Sequence, residues 1–144
     1  MINIKMEEQL EKEGKILTLP VGDSMMPILR YRQDAMLIEK LSREPKINDA
    51  VLYKRDSGQY VMHRIIAIKK DGYAIRGDNR YNIEYGVRRD QILGIMSGFY
   101  RGEKFIDCEK NKGYKAYVFL MRVTLIPRHI IFFIKKAYRK ILKG

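Results

Sequence analysis

Residues 50–75 read AVLYKRDSGQYVMHRIIAIKKDGYAI, and this stretch decides the fold. Apolar and β-branched residues form three short runs, and the turn sequences Asp56-Ser57-Gly58 and Asp71-Gly72 separate them. The pattern therefore predicts three antiparallel strands joined by two hairpin turns. These strands are predicted over residues 50–54, 60–68 and 73–76.

Further strands are predicted on both sides of this stretch, over residues 16–21, 34–39 and 91–100. Short strands with turn signals every eight to twelve residues or so are typical of an antiparallel β domain. Residues 6–15 (MEEQLEKEGK) predict a short helix that ends at Gly14. We therefore predict a mainly β domain over residues 1–109.

Residues 110–144 differ in composition from the rest of the chain. The net charge of the chain is +12, yet residues 1–109 hold 19 Lys and Arg against 17 Asp and Glu. Residues 110–144 hold 10 basic residues and no acidic one. Pro127 is expected to end or kink a helix, and beyond it apolar and basic residues fall on opposite sides of a helix. The sequence predicts a basic amphipathic helical tail over residues 110–144.

This composition excludes several classes of function. Because the positive charge belongs to the tail and not to the β domain, no nucleic-acid partner is expected. Two His and one Cys are too few and too scattered for a zinc site, so no metal or cofactor is predicted. Cys108 cannot form an internal disulfide, and cysteine usage therefore does not indicate the compartment.

Three motifs carry the groups needed for hydrolysis: GDSMMP at residues 22–27, VMHRII at 61–66 and GDNR at 77–80. They supply a hydroxyl, an imidazole and a carboxylate. A serine hydroxyl needs a base to remove its proton during attack. One imidazole nitrogen can act as that base, while the other donates to a carboxylate that fixes the tautomer. The motifs predict Ser24 as nucleophile, His63 as general base and Asp78 as the orienting acid.

In sequence and in separation, these motifs resemble the catalytic motifs of type I signal peptidases and the related LexA-like serine proteases. The bacterial housekeeping branch of that family uses Lys as base, whereas the endoplasmic-reticulum and archaeal type has a His where His63 falls. The chain is therefore similar to the Ser/His branch over roughly residues 19–96. The resemblance implies a serine endopeptidase that cleaves signal or leader peptides bound as an added strand.

The resemblance also implies a second acid a few residues after the GDNR motif. Glu84, six residues after Asp78, occupies the place where that acid is expected. Its side chain is longer than the Asp of the family, and Asp90 is an alternative.

The remaining site residues that the resemblance implies lie in the GDSMMP motif. The backbone N–H of Ser24 is expected to form the oxyanion hole. Some relatives add a hydroxyl two residues earlier, where this chain has Gly22. Met25 and Met26 suit an apolar wall for a substrate side chain.

Two other functions stay open. The fold could serve as a non-catalytic peptide- or membrane-binding module, or the enzyme could process a leader peptide, or itself, in the cytosol. Too few residues precede Ser24 for a DNA-binding domain of the LexA type. The chain opens with no signal-peptide pattern, and a cytoplasmic location therefore stays open.

The tail, residues 114–144, has three interpretations. A membrane span is disfavoured because Arg122 and Arg128 interrupt the apolar run. A helix lying in an anionic membrane surface agrees with the apolar and basic sides, and predicts peripheral membrane association. The third interpretation is a helix that packs on the β domain.

Overall fold

The computed structural model describes residues 5–143, with the backbone alone for residues 125–129. The chain divides into two compact units, Met1–Asn111 and Lys112–Gly144. The first unit is mainly β, and the second is helical. The predicted fold class, an antiparallel β domain with a C-terminal helical segment, is confirmed.

Helix α1 (Met6–Glu13) opens the first unit. Gly14 ends it in the left-handed conformation, at φ 77°, and the Gly14 N–H donates to the Leu10 carbonyl at 2.8 Å. Eight strands follow, with a short 3-10 helix (Arg89–Gln91) between the sixth and the seventh. The strands are β1 (Lys15–Thr18), β2 (Met36–Lys40), β3 (Ala50–Lys54), β4 (Tyr60–Lys69), β5 (Gly72–Arg76), β6 (Glu84–Val87), β7 (Ile92–Arg101) and β8 (Lys104–Asp107).

The eight strands form one antiparallel sheet. Their order is β1-β2-β7-β3-β4-β5-β6, and β8 pairs with β7 beside this path. Strand β1 thus lies at one end of the order and pairs with β2. The loop that carries Ser24 leaves directly from this end strand.

The register of the central strands decides which side chains share a face. Val51 of β3 lies opposite His63 of β4, and Ile65 lies opposite Ile75, which in turn lies opposite Glu84 of β6. Residues opposite each other in antiparallel strands project to the same face. The core cluster of this unit comprises Val51, Tyr53, Val61, Ile65, Tyr73, Ile75, Val87 and Ile92. His63 and Glu84 therefore lie on the face of the sheet that builds this core.

The second unit consists of α2 (Lys112–Val123) and α3 (Leu125–Lys143). The break between them falls at Thr124, and Pro127 lies within the first turn of α3. A proline is tolerated there because its missing N–H would have no partner within the helix.

Helix α3 has an exposed apolar side. The side chains that form it are 52 to 76% exposed. They are Ile130, Ile131, Phe133, Ile134, Tyr138, Ile141 and Leu142. Over residues 5–143, no helix is both long enough and apolar enough to cross a membrane.

Candidate active site

Ser24 lies in the loop that joins β1 to β2, and two apolar side chains fix this loop to the first unit. Met25 and Leu29 are both buried, and the Leu29 N–H donates to the Met25 carbonyl at 3.0 Å. Ser24 itself is only partly buried. Burial of Met25 and Leu29 therefore fixes the backbone of the loop that carries Ser24.

The GDNR turn packs directly against the Ser24 loop. The Asn79 N–H donates to the Ser24 carbonyl at 2.8 Å, and the Asn79 side-chain amide donates to the Asp23 carbonyl at 3.1 Å. Arg80 adds an ion pair with Asp23. Two of the three predicted motifs are thus joined by backbone and side-chain contacts.

Gly77 lies between the serine loop and the histidine. A Cβ added at Gly77 would lie 2.7 Å from the Ser24 carbonyl oxygen and 3.1 Å from His63 Cδ2. No side chain fits there without displacing one of them. The three motifs therefore converge around Gly77. Within residues 5–143, the Ser24 hydroxyl makes no hydrogen bond to His63.

His63 projects from β4 beside Tyr53, which lies on the neighbouring strand β3. His63 Nδ1 is 3.4 Å from the Tyr53 hydroxyl oxygen. That hydroxyl donates to Glu84 Oε1 at 2.9 Å, and Arg55 donates to the same oxygen from Nε at 3.1 Å and from Nη2 at 2.8 Å. A continuous polar path thus runs from the imidazole through a phenol to a carboxylate.

The surroundings keep the imidazole neutral. Burial is the largest cause and the Arg55 charge adds to it, so that the pKa of His63 falls from 6.5 to about 4, against the opposing charge of Glu84. Burial alone would raise the pKa of Glu84, but hydrogen bonds from Arg55 and Tyr53 outweigh it and hold that pKa below its usual value. Near neutral pH the site holds a neutral imidazole and an ionised carboxylate.

Within residues 5–143 Asp78 makes no hydrogen bond to His63, although its charge raises the pKa of the imidazole against the effect of burial. Both of its carboxylate oxygens accept from Arg64, from Nε and Nη2, each at 2.9 Å. The reason is the alternation of side chains along a strand. Arg64 projects to the face opposite His63, and it is Arg64 that binds Asp78 in the turn after β5. The expected hydrogen bond between His63 and Asp78 is therefore wrong, and Asp78 anchors the turn that holds Ser24.

Glu84 lies at the end of the path from His63, although Tyr53 separates the two side chains. Asp90, the alternative acid, pairs with Arg88 at the exposed 3-10 helix. Met25 is buried under the turn, where its sulfur accepts from the Asp78 N–H at 3.4 Å. Met25 therefore does not line an open pocket, whereas Met26 is partly exposed and stays a candidate.

The predicted oxyanion hole rests on the Ser24 N–H. In the described part of the chain this group donates to no acceptor, so it is free to face a substrate. Gly22 is exposed, and a Cβ built on it would meet nothing within 4 Å.

Sequence reasoning missed Tyr53 and Arg55. The signal was present in the hairpin between β3 and β4, whose register pairs Val51 with His63. Tyr53 and Arg55 follow Val51 at intervals of two, and so share the face of His63. No group of three or more His, Cys, Asp and Glu within residues 5–143 could hold a metal ion.

In comparisons with known proteins, no family model matches the chain, and no curated protein is significantly similar to it.

Proposed function

We propose that the protein is a serine endopeptidase resembling the Ser/His signal peptidases, with Ser24 as nucleophile and His63 as general base. The observation that carries the proposal is the convergence of Ser24 and His63 around Gly77. A second support is the lowered pKa of His63, because an imidazole must be neutral to accept a proton.

The proposed reaction is acyl transfer. His63 Nε2 removes the proton from Ser24 Oγ as the oxygen attacks the peptide carbonyl, and the Ser24 N–H donates to the resulting oxyanion. The protonated imidazole then gives its proton to the leaving amine. Water, activated by the same nitrogen, hydrolyses the acyl-enzyme and regenerates Ser24.

The proposed substrate is an extended peptide. Among the strands of residues 5–143, β1 lies at one end of the sheet order and leads into the Ser24 loop, so a peptide could add to it as a further strand. Leu17, Leu19 and Val21 along this segment are 58%, 45% and 79% exposed. We therefore expect a signal or leader peptide with apolar residues near the cleavage site.

The test is cleavage of a panel of signal and leader peptides by the full chain. Ser24→Ala and His63→Ala should each abolish cleavage, while each variant still unfolds in one cooperative thermal transition. Ser57→Ala, in the exposed hairpin turn between β3 and β4, is the matched control and should cleave normally. Cleavage that survives both site variants would overturn the proposal.

A non-catalytic peptide-binding module is the second candidate, favoured by the missing hydrogen bond between Ser24 and His63. A phosphonate active-site probe separates the two candidates, since labelling requires an activated hydroxyl. Labelling that Ser24→Ala or His63→Ala prevents supports the enzyme. A protein that binds peptides but is not labelled supports the module. Cleavage of leader peptides only would favour the cytosolic processing role.

We further propose that α3 binds the surface of an anionic membrane. Its support is the pairing of an exposed apolar side with a basic side that carries no acidic residue. Such a helix buries its apolar side at the headgroup boundary, and its cations face anionic lipid. The basic side carries Lys135, Lys136, Arg139, Lys140 and Lys143.

Co-sedimentation of the full chain with vesicles tests this location. Binding should be strong with phosphatidylglycerol vesicles, weaker at high salt and weakest with phosphatidylcholine alone. Lys136→Gln with Lys140→Gln should reduce binding, whereas Lys69→Gln with Lys70→Gln, at the β4–β5 turn, should not. No binding to anionic vesicles would indicate instead that the apolar side of α3 is covered by protein.

A further inference from the structure

We propose that Tyr53 is a positioning residue that fixes the tautomer of His63 and transmits the charge of Glu84 to it. The direct contact between histidine and carboxylate of a Ser-His-Asp triad is replaced by a phenol between the two. The catalytic part of this inference rests on the proposed protease function. The tautomer itself does not, because it can be observed whether or not the protein cleaves anything.

The argument begins with the single proton of the Tyr53 hydroxyl. An ionised carboxylate is an acceptor only, and Glu84 is held ionised by Arg55 and Tyr53. The Tyr53 proton must therefore point to Glu84, at 2.9 Å. What remains toward His63 is a lone pair of the phenol oxygen.

A lone pair at this position selects one imidazole tautomer. His63 Nδ1 lies 3.4 Å from the Tyr53 oxygen, and only a protonated Nδ1 can use that acceptor. A neutral imidazole with its proton on Nδ1 has an unprotonated Nε2. Nε2 is then the nitrogen that can accept the Ser24 proton.

The surrounding packing keeps Tyr53 in this position. Its side chain is fully buried in the core cluster, with 0% exposure. Arg55 holds the Glu84 oxygen from two nitrogens, so Glu84 stays on the far side of the phenol. Burial, with Glu84 adding to it, raises the pKa of Tyr53 well above its usual value, and the phenol keeps its proton.

A phenol that donates to a carboxylate stabilises a developing imidazolium less than a carboxylate in direct contact does. The base is then weak, but it is held in the productive tautomer over a wide pH range. We therefore expect loss of the Tyr53 hydroxyl to lower kcat by about 10-fold to 100-fold, well below the roughly 10⁴-fold effect of losing a directly bonded orienting acid.

The decisive measurement is the tautomer of His63 by two-bond ¹H–¹⁵N NMR correlation on the full chain. The chain has only two histidines, and His129→Gln leaves the signals of His63 alone. At neutral pH we expect the proton on Nδ1. Tyr53→Phe, which keeps the ring, should shift the population toward Nε2–H, the form that free imidazole side chains prefer. Tyr73→Phe, a buried tyrosine of the same core cluster, should leave it unchanged.

Two results would overturn the inference: a wild-type His63 that is protonated on Nε2, or equal tautomer populations in wild type and Tyr53→Phe. Neither depends on cleavage, so a failed protease assay alone would refute the proposed function and leave the tautomer measurement standing.

If cleavage is observed, a double-mutant cycle gives an independent test. Part of the effect of Glu84 passes through Tyr53, so Tyr53→Phe combined with Glu84→Gln should lower kcat by clearly less than the product of the two single losses. KM should stay within about twofold in all three variants, because none touches the peptide. Additive losses in kcat would refute the transmission of charge.

Discussion

His63 and Arg64 are neighbours in β4, yet they serve opposite faces of the sheet and two different kinds of polar site. Arg64 forms a buried ion pair with Asp78, in which the two side chains are 4% and 1% exposed. His63 lies in a partly exposed path through Tyr53 to Glu84. An acid whose oxygens are both bound by a guanidinium anchors structure. An acid that reaches an imidazole through a phenol helps to decide which imidazole nitrogen carries the proton.

The largest expected effect is a difference between Asp78 and Glu84 in how much their loss destabilises the fold. Asp78→Ala leaves the Arg64 charge buried without its carboxylate, which typically costs about 3 to 5 kcal/mol in the free energy of unfolding. Glu84→Ala removes an ion pair whose members are about one-third exposed, but it also leaves the buried Tyr53 hydroxyl without its acceptor, and should cost about 1 to 3 kcal/mol. Urea denaturation of the two variants measures the difference. Equal stability losses would break the comparison between the two faces.

The next effect concerns Gly77, where the Ser24 loop and His63 meet. The Cβ of Gly77→Ala would press on the Ser24 carbonyl oxygen and the His63 ring, and must move one of them. A displacement near 1 Å in an active site can cost about 100-fold in rate, and we expect a loss of that order in kcat/KM. Gly22→Ala, built into open space, is the control. Normal activity of Gly77→Ala would show that catalysis does not depend on the positions of the Ser24 carbonyl oxygen and the His63 ring.

A smaller effect is expected from pH, and it should appear on the His63 face. Burial lowers the pKa of His63 to about 4 in the folded state, against 6.5 for an ordinary histidine. Between these two pH values His63 is protonated in the unfolded chain but neutral in the folded one. Protonation therefore favours unfolding, and the protein loses stability as pH falls from 6.5 toward 4. The same neutral imidazole should keep kcat/KM level until pH approaches 4.

Two measurements check this expectation. The pH profile of kcat/KM should have its acid limb near 4, and a limb near 6.5 would contradict the burial argument. The unfolding free energy of wild type minus that of His63→Gln should decrease as the pH is lowered from 6.5 to 4.

The smallest expected effect is a gain. Gly22 has room for a side chain, and under the proposed function a hydroxyl at this position could donate to the oxyanion. Gly22→Ser should raise kcat by up to about 10-fold, a part of the roughly 3 kcal/mol that one oxyanion donor can supply. Gly22→Ala should give no gain. An unchanged rate in Gly22→Ser would mean that this position does not reach the oxyanion.

The sequence was sufficient for much of the sheet, because turn residues and apolar runs mark its central strands. The strand predicted over residues 50–54 is β3 (Ala50–Lys54) without change. Strands β6 and β8 were missed, since each has four residues and neither is an apolar run. Such strands form because a neighbouring strand offers hydrogen-bond partners, and a local pattern does not contain that information.

The candidate site was predicted in part. Ser24 and His63 are brought together, whereas the role of Asp78 was inferred from its distance along the chain. Distance along the chain does not reveal the face of the sheet, and Arg64, which projects to the face opposite His63, binds Asp78. Tyr53 was missed because it lies outside the three motifs, and only the pairing of β3 with β4 brings it beside His63.

The alternation along β4 also limits how the protein can change in length. An insertion of one residue just before His63 would turn the imidazole to the face of Asp78 and the guanidinium to the face of Tyr53. A positive charge would then lie where a neutral base is needed. The loop between β3 and β4 can lengthen without this exchange, because the register beyond it is fixed by pairing. Natural insertions and grafted tags should therefore be tolerated near Ser57 and excluded from the strand itself.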